Sequence, residues 1–376
     1  MNVTYISNLC SLETLDKLKK DYSIIPMQSI QKYHRLICEG MVENEISVKT
    51  ISSLPIIKSK KIIKYKNIKN RNLEYRYIPT SNIRLLRYIF LFIYTIFFVI
   101  KDIFNNKNTV FICDILNTSL TVATYIVTKI FKKKCIALIT DRPQDVLNSN
   151  SIILKLQSKF DGYIFLTEYM NEDININNKP YIILEGIVDK EIKIVKEKYK
   201  EKVCMYAGGL YEKYGIKVLI EAFKEINVKN AELHIYGFGE LEEYIKNLNV
   251  KNIKYFGTVS NEKIMEEETK ATLLINPRYS NEEYTKYSFP SKNIEYMSSG
   301  TPLLTTKLKG IPKEYNEYLY FIEKENKIAI KEKLEEILSK NLNELKQKGE
   351  KAKKFVIEQK NKIKQTEKII KLLEKI

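Results

Sequence analysis

The chain has 376 residues, 44% of them hydrophobic, and its 63 Lys and Arg outweigh its 46 Asp and Glu to give a formal charge of +17. This length suits two domains with packed cores, and the composition excludes a largely disordered chain. Five widely spaced cysteines without a Cys-x-x-Cys motif, and only two histidines, argue against both a disulfide framework and a zinc site.

Short apolar segments alternate with helical stretches along the first half of the chain. The predicted strands are Val3 to Ser7, Ser47 to Ser53, Tyr75 to Pro79, Thr109 to Cys113, Cys135 to Thr140, Gly162 to Thr167 and Tyr181 to Leu184. This alternation is typical of an α/β domain with a parallel sheet. Such sheets bind ligands at the carboxyl ends of their strands, so the loops Ser7 to Leu9 and Asp114 to Asn117 are predicted to face a site.

A strongly basic segment leads into an aromatic and apolar one. Its cations are Lys58, Lys60, Lys61, Lys64, Lys66, Lys69, Arg71, Arg76, Arg84 and Arg87, and three more follow at Lys132 to Lys134. The apolar run from Tyr88 to Ile100 is shorter than the ~20 residues that span a bilayer. Two interpretations remain open: a buried helix of the α/β domain, or a segment lying among the headgroups of an anionic membrane.

The chain is predicted to divide near Glu185 to Asp189, where a strand ends in Glu-Gly. The predicted domains are 1–187 and 188–354. From Lys327 to the end, apolar residues recur at helical spacing among charged ones, which predicts helices.

Three predicted strands of the second half each run into a glycine turn. Val203 to Ala207 precedes Gly208 and Gly209, Leu233 to Tyr236 precedes Gly237 and Gly239, and Ile253 to Phe256 precedes Gly257, Thr258 and Val259. Residues without bulky side chains let the backbone approach a ligand closely. The turns therefore favour a binding edge, although each alone also fits simple strand-turn structure.

The segment from Asn276 to Thr306 carries the most specific pattern. A predicted strand and a polar loop lead to a helix that begins at Pro290 and ends at Gly300. The N–H groups and positive dipole end of this helix favour a bound diphosphate, and Lys292 adds a point charge. Glu295, about one turn further on, can accept hydrogen bonds from ribose hydroxyls.

The motifs between Val203 and Thr306 occur in the same order as those of the family 4 (group 1) glycosyltransferases of GT-B fold, and they resemble them. The donor segment resembles the variant found in enzymes that build bacterial surface polysaccharides. Glu295 matches the second Glu of the family's donor motif, whereas Tyr287 stands in place of the first. Gly209 and Tyr214 stand where the family usually has an Arg and a Lys on phosphate. The available substitutes are Lys292, Arg278, Lys286 and Lys213, with Lys292 ranked first and Arg278 second.

The resemblance implies two Rossmann-like domains whose parallel sheets face a central cleft, with the final helix, 355–376, returning to the N-terminal domain. The implied donor-binding residues are Gly208, Gly209, Tyr214, Gly237, Gly239, Thr258, Val259, Tyr287, Ser288, Phe289, Pro290, Ser291 and Glu295. Lys292 and Arg278 are expected to stabilise the leaving diphosphate. On the acceptor side Asp141 stands near the place of a family His, where it either handles an acceptor hydroxyl or caps the next turn.

The implied activity is that of a retaining hexosyltransferase that moves a sugar from a nucleotide sugar, a UDP-sugar above all, to a lipid-linked glycan in capsule or exopolysaccharide synthesis. No metal or other cofactor is expected. The N-terminus shows no basic region leading into a long apolar stretch, so we expect a cytoplasmic protein on the inner face of the cell membrane.

Two other functions each fit part of the sequence. The missing family residues favour a non-catalytic GT-B protein that partners another transferase. The net charge favours a nucleic-acid binder, but the chain lacks an aromatic and basic RNA-binding motif, and no nucleic-acid partner is expected.

Overall fold

Two mainly parallel β-sheets organise the chain, one in each of two units. The computed structural model describes residues 1–57, 62–189 and 198–376. Unit 1 comprises Met1–Asp189 with Lys362–Ile376, and unit 2 comprises Lys190–Asn361. Three of the predicted basic residues, Lys58, Lys60 and Lys61, lie outside the described residues.

Unit 1 alternates strands and helices. Its elements are β1 (Asn2–Ser7), α1 (Leu12–Tyr22), α2 (Gln28–Glu43), β2 (Ser47–Ser53), β3 (Ile68–Asn70), β4 (Leu73–Tyr75), β5 (Tyr77–Ile78), α3 (Arg84–Asn105), β6 (Thr109–Asp114), α4 (Thr118–Ile130), β7 (Cys135–Ile139), α5 (Pro143–Val146), α6 (Ile152–Leu156), β8 (Gly162–Phe165), α7 (Glu168–Ile174) and β9 (Tyr181–Ile183). The sheet order is β3-β4-β2-β1-β6-β7-β8-β9, with β5 also paired to β2. The pairings are parallel except for β3 with β4.

The strand prediction is confirmed in unit 1, with one interruption. Every residue of β7 and β8 is buried, as expected of a parallel sheet covered on both faces. The predicted strand Tyr75 to Pro79 is split at Arg76, whose backbone N–H donates to Thr50 Oγ1 at 3.3 Å. The side chain of Arg76 then turns into the unit.

Arg76 anchors helix α3 to the sheet. Its guanidinium donates two hydrogen bonds, of 2.9 and 2.6 Å, to the carboxylate of Asp102, and Thr4 Oγ1 donates a third at 2.7 Å. Arg76 and Asp102 are both buried. Arg76 therefore does not belong to the basic surface that its neighbours in sequence suggest, because a buried cation must be paired.

Unit 2 contains β10 (Lys202–Gly209), α8 (Ile216–Lys224), β11 (Ala231–Phe238), α9 (Glu242–Lys246), β12 (Ile253–Tyr255), α10 (Asn261–Lys270), β13 (Leu273–Asn276), α11 (Lys292–Ser298), β14 (Leu303–Thr306), β15 (Tyr320–Ile322), α12 (Lys327–Ser339) and α13 (Leu342–Gln359). Its sheet is parallel throughout, in the order β12-β11-β10-β13-β14-β15. The core lies between this sheet and helices such as α8 and α12. Two Rossmann-like units are therefore present, as the sequence predicts.

The last helix, α14 (Lys362–Lys375), packs against α2 in unit 1. A Cβ on Gly40 would lie 2.4 Å from the Lys362 carbonyl oxygen, so glycine allows this approach. Asn44 Nδ2 donates to the Ile363 carbonyl and to Thr366 Oγ1, at 3.0 and 2.9 Å. Of the predicted returning segment 355–376, the residues before Lys362 group with unit 2.

Candidate functional site

The carboxyl edge of the unit 2 sheet is built from glycine backbone. Gly208 and Gly237 lie side by side where β10 pairs with β11. Gly237 has a φ of +129°, and a Cβ there would lie 1.8 Å from the Gly208 carbonyl oxygen. Gly239 has a φ of +157°, and a Cβ there would lie 2.6 Å from the Leu210 carbonyl oxygen. Glycine is therefore required at both positions, because neighbouring backbone fills the place that a Cβ would take.

Helix α11 places two side chains on the end of β10. Lys292 Nζ donates a hydrogen bond to the Ala207 carbonyl oxygen. Tyr296, one turn later, donates to the same oxygen at 3.0 Å and accepts from the Ala207 N–H at 2.9 Å. A Cβ on Gly208 would lie 3.1 Å from Lys292 Nζ, so the ammonium lies directly over the glycine turn. The structure thus joins two predicted site residues, Lys292 and Gly208.

A pair of buried amides fixes the position of α11. Asn276, at the end of β13, donates from Nδ2 to Asn293 Oδ1 at 2.7 Å, and Asn293 is fully buried. The sequence reasoning missed both asparagines and Tyr296. Their signal was polar residues at the end of an apolar strand and in the first turns of the following helix.

Burial shifts the acid–base behaviour of Lys292. Desolvation lowers the pKa of its ammonium group below the ordinary value, and nearby Arg278 acts in the same direction. Glu295 and Glu268 oppose that shift. A lysine that is desolvated beside a second cation gains most from an anionic ligand, because the ligand neutralises that repulsion.

Arg278 is held by stacking and by its backbone. Its guanidinium lies over the Tyr214 ring, 4.1 Å from the centroid. Its N–H donates to Thr306 Oγ1 at 2.9 Å, and that hydroxyl donates to the Arg278 carbonyl at 2.8 Å. Across the described chain its buried Nε finds no hydrogen-bond partner. Tyr214, which stands where a cation was expected, thus supports a cation instead of supplying one.

The segment before α11 contains both buried residues and residues that solvent can reach. Tyr287 and Phe289 are buried, and Phe289 packs on Tyr315 with ring centroids 5.3 Å apart. Ser291 is exposed, Ser288 is partly buried and Pro290 is buried. Of this predicted donor-binding run, Ser291 and Ser288 therefore retain accessible side chains.

Helix α11 begins at Lys292, two residues later than predicted, and has seven residues. The bond from the Asn293 N–H to the Pro290 carbonyl, at 2.8 Å, shows that a turn at Pro290 precedes it. Ser291, at the N-cap, makes no side-chain cap bond. Because the helix is so short, the side chain of Lys292 is the clearer source of positive charge.

The third of the predicted glycine turns follows β12. Gly257 has a φ of +67°, Thr258 is exposed and Val259 is partly buried. The Gly257 carbonyl accepts a hydrogen bond from the Gly237 N–H at 2.8 Å, which joins this turn to the glycine edge. The adjacent Phe238 ring is 61% exposed and presents a flat apolar face.

In unit 1, Asp141 follows β7 at the carboxyl edge of that sheet. It does not cap the next turn, since α5 has Arg142 at its N-cap and no side-chain cap bond. Although the residue is exposed, desolvation by surrounding protein raises the pKa of its carboxyl group, and Asp114 and Asp145 act in the same direction. A raised pKa makes this carboxylate a better proton acceptor.

A cavity of about 190 Å³ lies at the same edge of unit 1. It is lined by Asn8 after β1, Ser53 at the end of β2, Asn117 after β6, and Arg87 in the first turn of α3. The buried Asn8 Oδ1 has no hydrogen-bond partner among the described residues. The cavity therefore offers both a free acceptor and a cation.

Both histidines contact polar side chains of their own unit. His34 is buried, with Nδ1 2.6 Å from the Tyr5 hydroxyl and Nε2 3.4 Å from Asp114. His234 Nε2 lies 2.9 Å from Glu232. Among the described residues, no group of three His, Cys, Asp or Glu side chains could hold a metal ion.

Residues 188–355 match the family model of the glycosyl transferases group 1. No curated protein sequence matches the chain. Solved structures match across almost its whole length. A sucrose-phosphate synthase from Thermosynechococcus elongatus has a TM-score of 0.69 and 12% identity, covering 100% of this chain and 99% of that one.

Two further structures show the same fold. The lipopolysaccharide outer core galactosyltransferase WaaB has a TM-score of 0.65 and 14% identity, covering 100% of this chain and 99% of that one. A TarM mutant from S. aureus, solved with UDP, has a TM-score of 0.63 and 14% identity, covering 99% and 100%. The chain has the GT-B fold, and the match of residues 188–355 supports a glycosyltransferase of group 1.

Proposed function

We propose that this protein is a retaining glycosyltransferase that moves a hexose from a UDP-sugar to a lipid-linked glycan in capsule or exopolysaccharide synthesis. The observation that carries the proposal is the placement of two cations, Lys292 and Arg278, at a sheet edge that is free of side chains at Gly208 and Gly237. A diphosphate bound at this edge would be neutralised by the two cations.

Different residues of unit 2 would bind different parts of the donor. Lys292 and Arg278 would bind the diphosphate, and Glu295 would accept hydrogen bonds from the ribose. The turn of Thr258 would bind the base, beside the exposed ring of Phe238. A TarM structure contains UDP, which supports a uridine nucleotide here.

The proposed reaction needs no protein nucleophile. The bond from the anomeric carbon to the diphosphate breaks, the acceptor oxygen attacks from the same face, and the acceptor proton passes to the leaving phosphate. Lys292 and Arg278 would stabilise the negative charge that develops on this phosphate. We propose no metal cofactor, because these two side chains would supply the positive charge.

The acceptor is assigned to the carboxyl edge of the unit 1 sheet. Asp141 would orient its hydroxyl, and the cavity lined by Asn8 and Arg87 would receive its neighbouring polar groups. Arg87, whose guanidinium lies 5.6 Å from the centroid of the Tyr88 ring, would bind a phosphate that joins the glycan to its lipid. A lipid-linked acceptor places the enzyme on the inner face of the cell membrane.

A transfer assay tests the proposal. Purified protein is incubated with radiolabelled UDP-sugars and membrane lipid extracts, and product and donor hydrolysis are measured. We expect one donor to be consumed, and Glu295→Ala to weaken nucleotide binding about tenfold or more, since it removes a charged hydrogen-bond acceptor. Lack of donor binding by the unaltered protein would overturn the assignment.

The alternative is a non-catalytic GT-B protein that partners another transferase. Tyr287, which stands in place of the family's first Glu, is buried and supplies no carboxylate at that position. This replacement favours the non-catalytic alternative. Donor binding without transfer or hydrolysis across all UDP-sugars would support this alternative.

A further inference from the structure

Helix α3 carries apolar side chains on two opposite faces. One face packs into unit 1 through Leu91, Val99 and Ile103. The opposite face exposes Ile89, Ile93, Phe97 and Phe104, which are 42%, 57%, 57% and 72% exposed. The first three are four residues apart, so they form a stripe along the helix, and the set spans about 22 Å.

Helix α4 extends this apolar stripe. Its last turn exposes Ile126 and Ile130, the latter by 69%, and Phe131 follows. The rings of Phe104 and Phe131 meet edge to face, with centroids 5.8 Å apart. We call these seven residues the α3–α4 surface: Ile89, Ile93, Phe97, Phe104, Ile126, Ile130 and Phe131. A continuous exposed apolar surface of this kind marks an interaction site.

Positive charge predominates around the α3–α4 surface. From Arg84 to Lys134 the sequence contains eight basic residues and two acidic ones, Asp102 and Asp114, both of which are buried. The exposed basic residues are Arg84, Lys101, Lys107, Lys129, Lys132 and Lys134, of which Lys129 pairs with Asp161 at 3.0 Å. The surface therefore attracts an anionic partner and, because like charges repel, disfavours a second copy of itself.

We propose that the α3–α4 surface docks on an anionic lipid bilayer. Aromatic and aliphatic side chains would enter the boundary between headgroups and acyl chains, as in interfacial amphipathic helices. The surrounding Lys and Arg side chains add electrostatic attraction to an anionic surface. No helix in residues 1–57, 62–189 and 198–376 is long and apolar enough to cross a membrane. An exposed apolar stripe bordered by cations fits an anionic lipid surface, with α3 lying along it.

The position of Arg87 connects docking to the acceptor. Arg87 lines the cavity at the carboxyl edge of the sheet and belongs to the first turn of α3. A bilayer in contact with α3 would therefore lie close to the mouth of this cavity, where a lipid-linked acceptor would enter. This last step rests on the proposed function, whereas docking itself does not.

Vesicle cosedimentation tests the docking. The full chain is mixed with vesicles of phosphatidylcholine alone or with phosphatidylglycerol added, at low and high salt. We expect binding to the anionic vesicles that weakens with salt. The double change Ile93→Gln and Phe97→Gln should weaken it at least tenfold, and the triple change Lys101→Gln, Lys132→Gln and Lys134→Gln should remove most of the preference for anionic lipid.

The matched control changes two equally exposed apolar residues elsewhere, Ile176→Gln and Leu342→Gln, and should bind vesicles like the unaltered protein. Circular dichroism checks that each variant is folded. Equal binding by the double variant and the control, or no binding to anionic vesicles by the unaltered protein, would overturn the proposal. So would a dimer in solution that the Ile93 and Phe97 changes dissociate, since a second copy would then occupy the surface. UDP binding is measured in parallel, so that a failure of the proposed function is recognised separately.

Discussion

The position of the Lys292 side chain in the candidate site is set by its neighbours. Its ammonium lies over Gly208 and is bound by the Ala207 carbonyl oxygen, so its position is fixed before any ligand arrives. Arg278 is fixed as well, by the ring of Tyr214. Preorganised cations stabilise developing charge without the cost of reorienting during the reaction.

We therefore predict that Lys292→Ala lowers turnover about 10²-fold or more, while the affinity for the donor falls only a few-fold. The matched control is Lys340→Ala, which removes a cation that pairs with Glu344, and should change neither value. Steady-state kinetics and calorimetric donor binding give the comparison. Equal losses in binding and turnover would show that Lys292 does not act on the transition state.

The lowered pKa of Lys292 predicts that the affinity for UDP depends on pH. The ammonium binds a diphosphate only when protonated, so affinity for UDP should be full below the pKa of Lys292 and fall as pH rises through it. Because burial lowers this pKa, the fall should begin below the ordinary lysine range near 10.5. Lys292→Arg stays charged, so its affinity for UDP, measured by calorimetry, should change little with pH. The comparison is made above pH ~7.5, where the phosphate is already ionised. An unchanged fall in that variant would point to another group.

At the scale of elements, helix α3 is held to the sheet by a buried ion pair between Arg76 and Asp102. Its other faces differ: one is packed, and the other carries the stripe of Ile93 and Phe97. Amphipathic analysis of the sequence could not separate these faces, because apolar residues occur on both. The contacts of Leu91 and Val99 with the rest of unit 1 decide which face is covered.

Asp102→Ala should cost about 3–5 kcal/mol of unfolding free energy, because it leaves the guanidinium of Arg76 buried without its partner. Replacing both residues, by Arg76→Met with Asp102→Leu, should restore most of that loss. Urea unfolding followed by circular dichroism provides the measurement. A double variant no more stable than Asp102→Ala would contradict the pairing.

At the scale of the whole molecule, the two units carry different parts of the proposed reaction. Unit 2 contains the glycine edge, Lys292 and Arg278, and unit 1 contains Asp141 and the cavity at Arg87. The family match lies at residues 188–355, in the half that carries the donor motifs, whereas likeness to solved structures extends over the whole chain. The half to which we assign the donor thus matches a family in sequence, whereas the half to which we assign the acceptor matches known structures only in fold.

Hydrogen exchange of the full chain should show which segments bind the nucleotide. We expect UDP to slow amide exchange in 208–215, 237–239, 257–259 and 288–295, because bound nucleotide shields and orders these turns. UMP, which lacks the second phosphate, should protect 257–259 but have a smaller effect on 288–295. Protection confined to unit 1 would place the nucleotide elsewhere.

The sequence alone determined the α/β alternation, the strands and the glycine turns, since hydrophobic periodicity and turn chemistry are properties of neighbouring residues. It also ranked Lys292 and Arg278 first among the cations, a ranking that stays a prediction. Tertiary structure decided which side chains meet: Lys292 contacts Ala207 across 85 positions, and Asn44 contacts Thr366 across 322. It also decided that Arg76 is buried and that one side of α3 is exposed, because burial depends on packing between segments that are distant in the sequence.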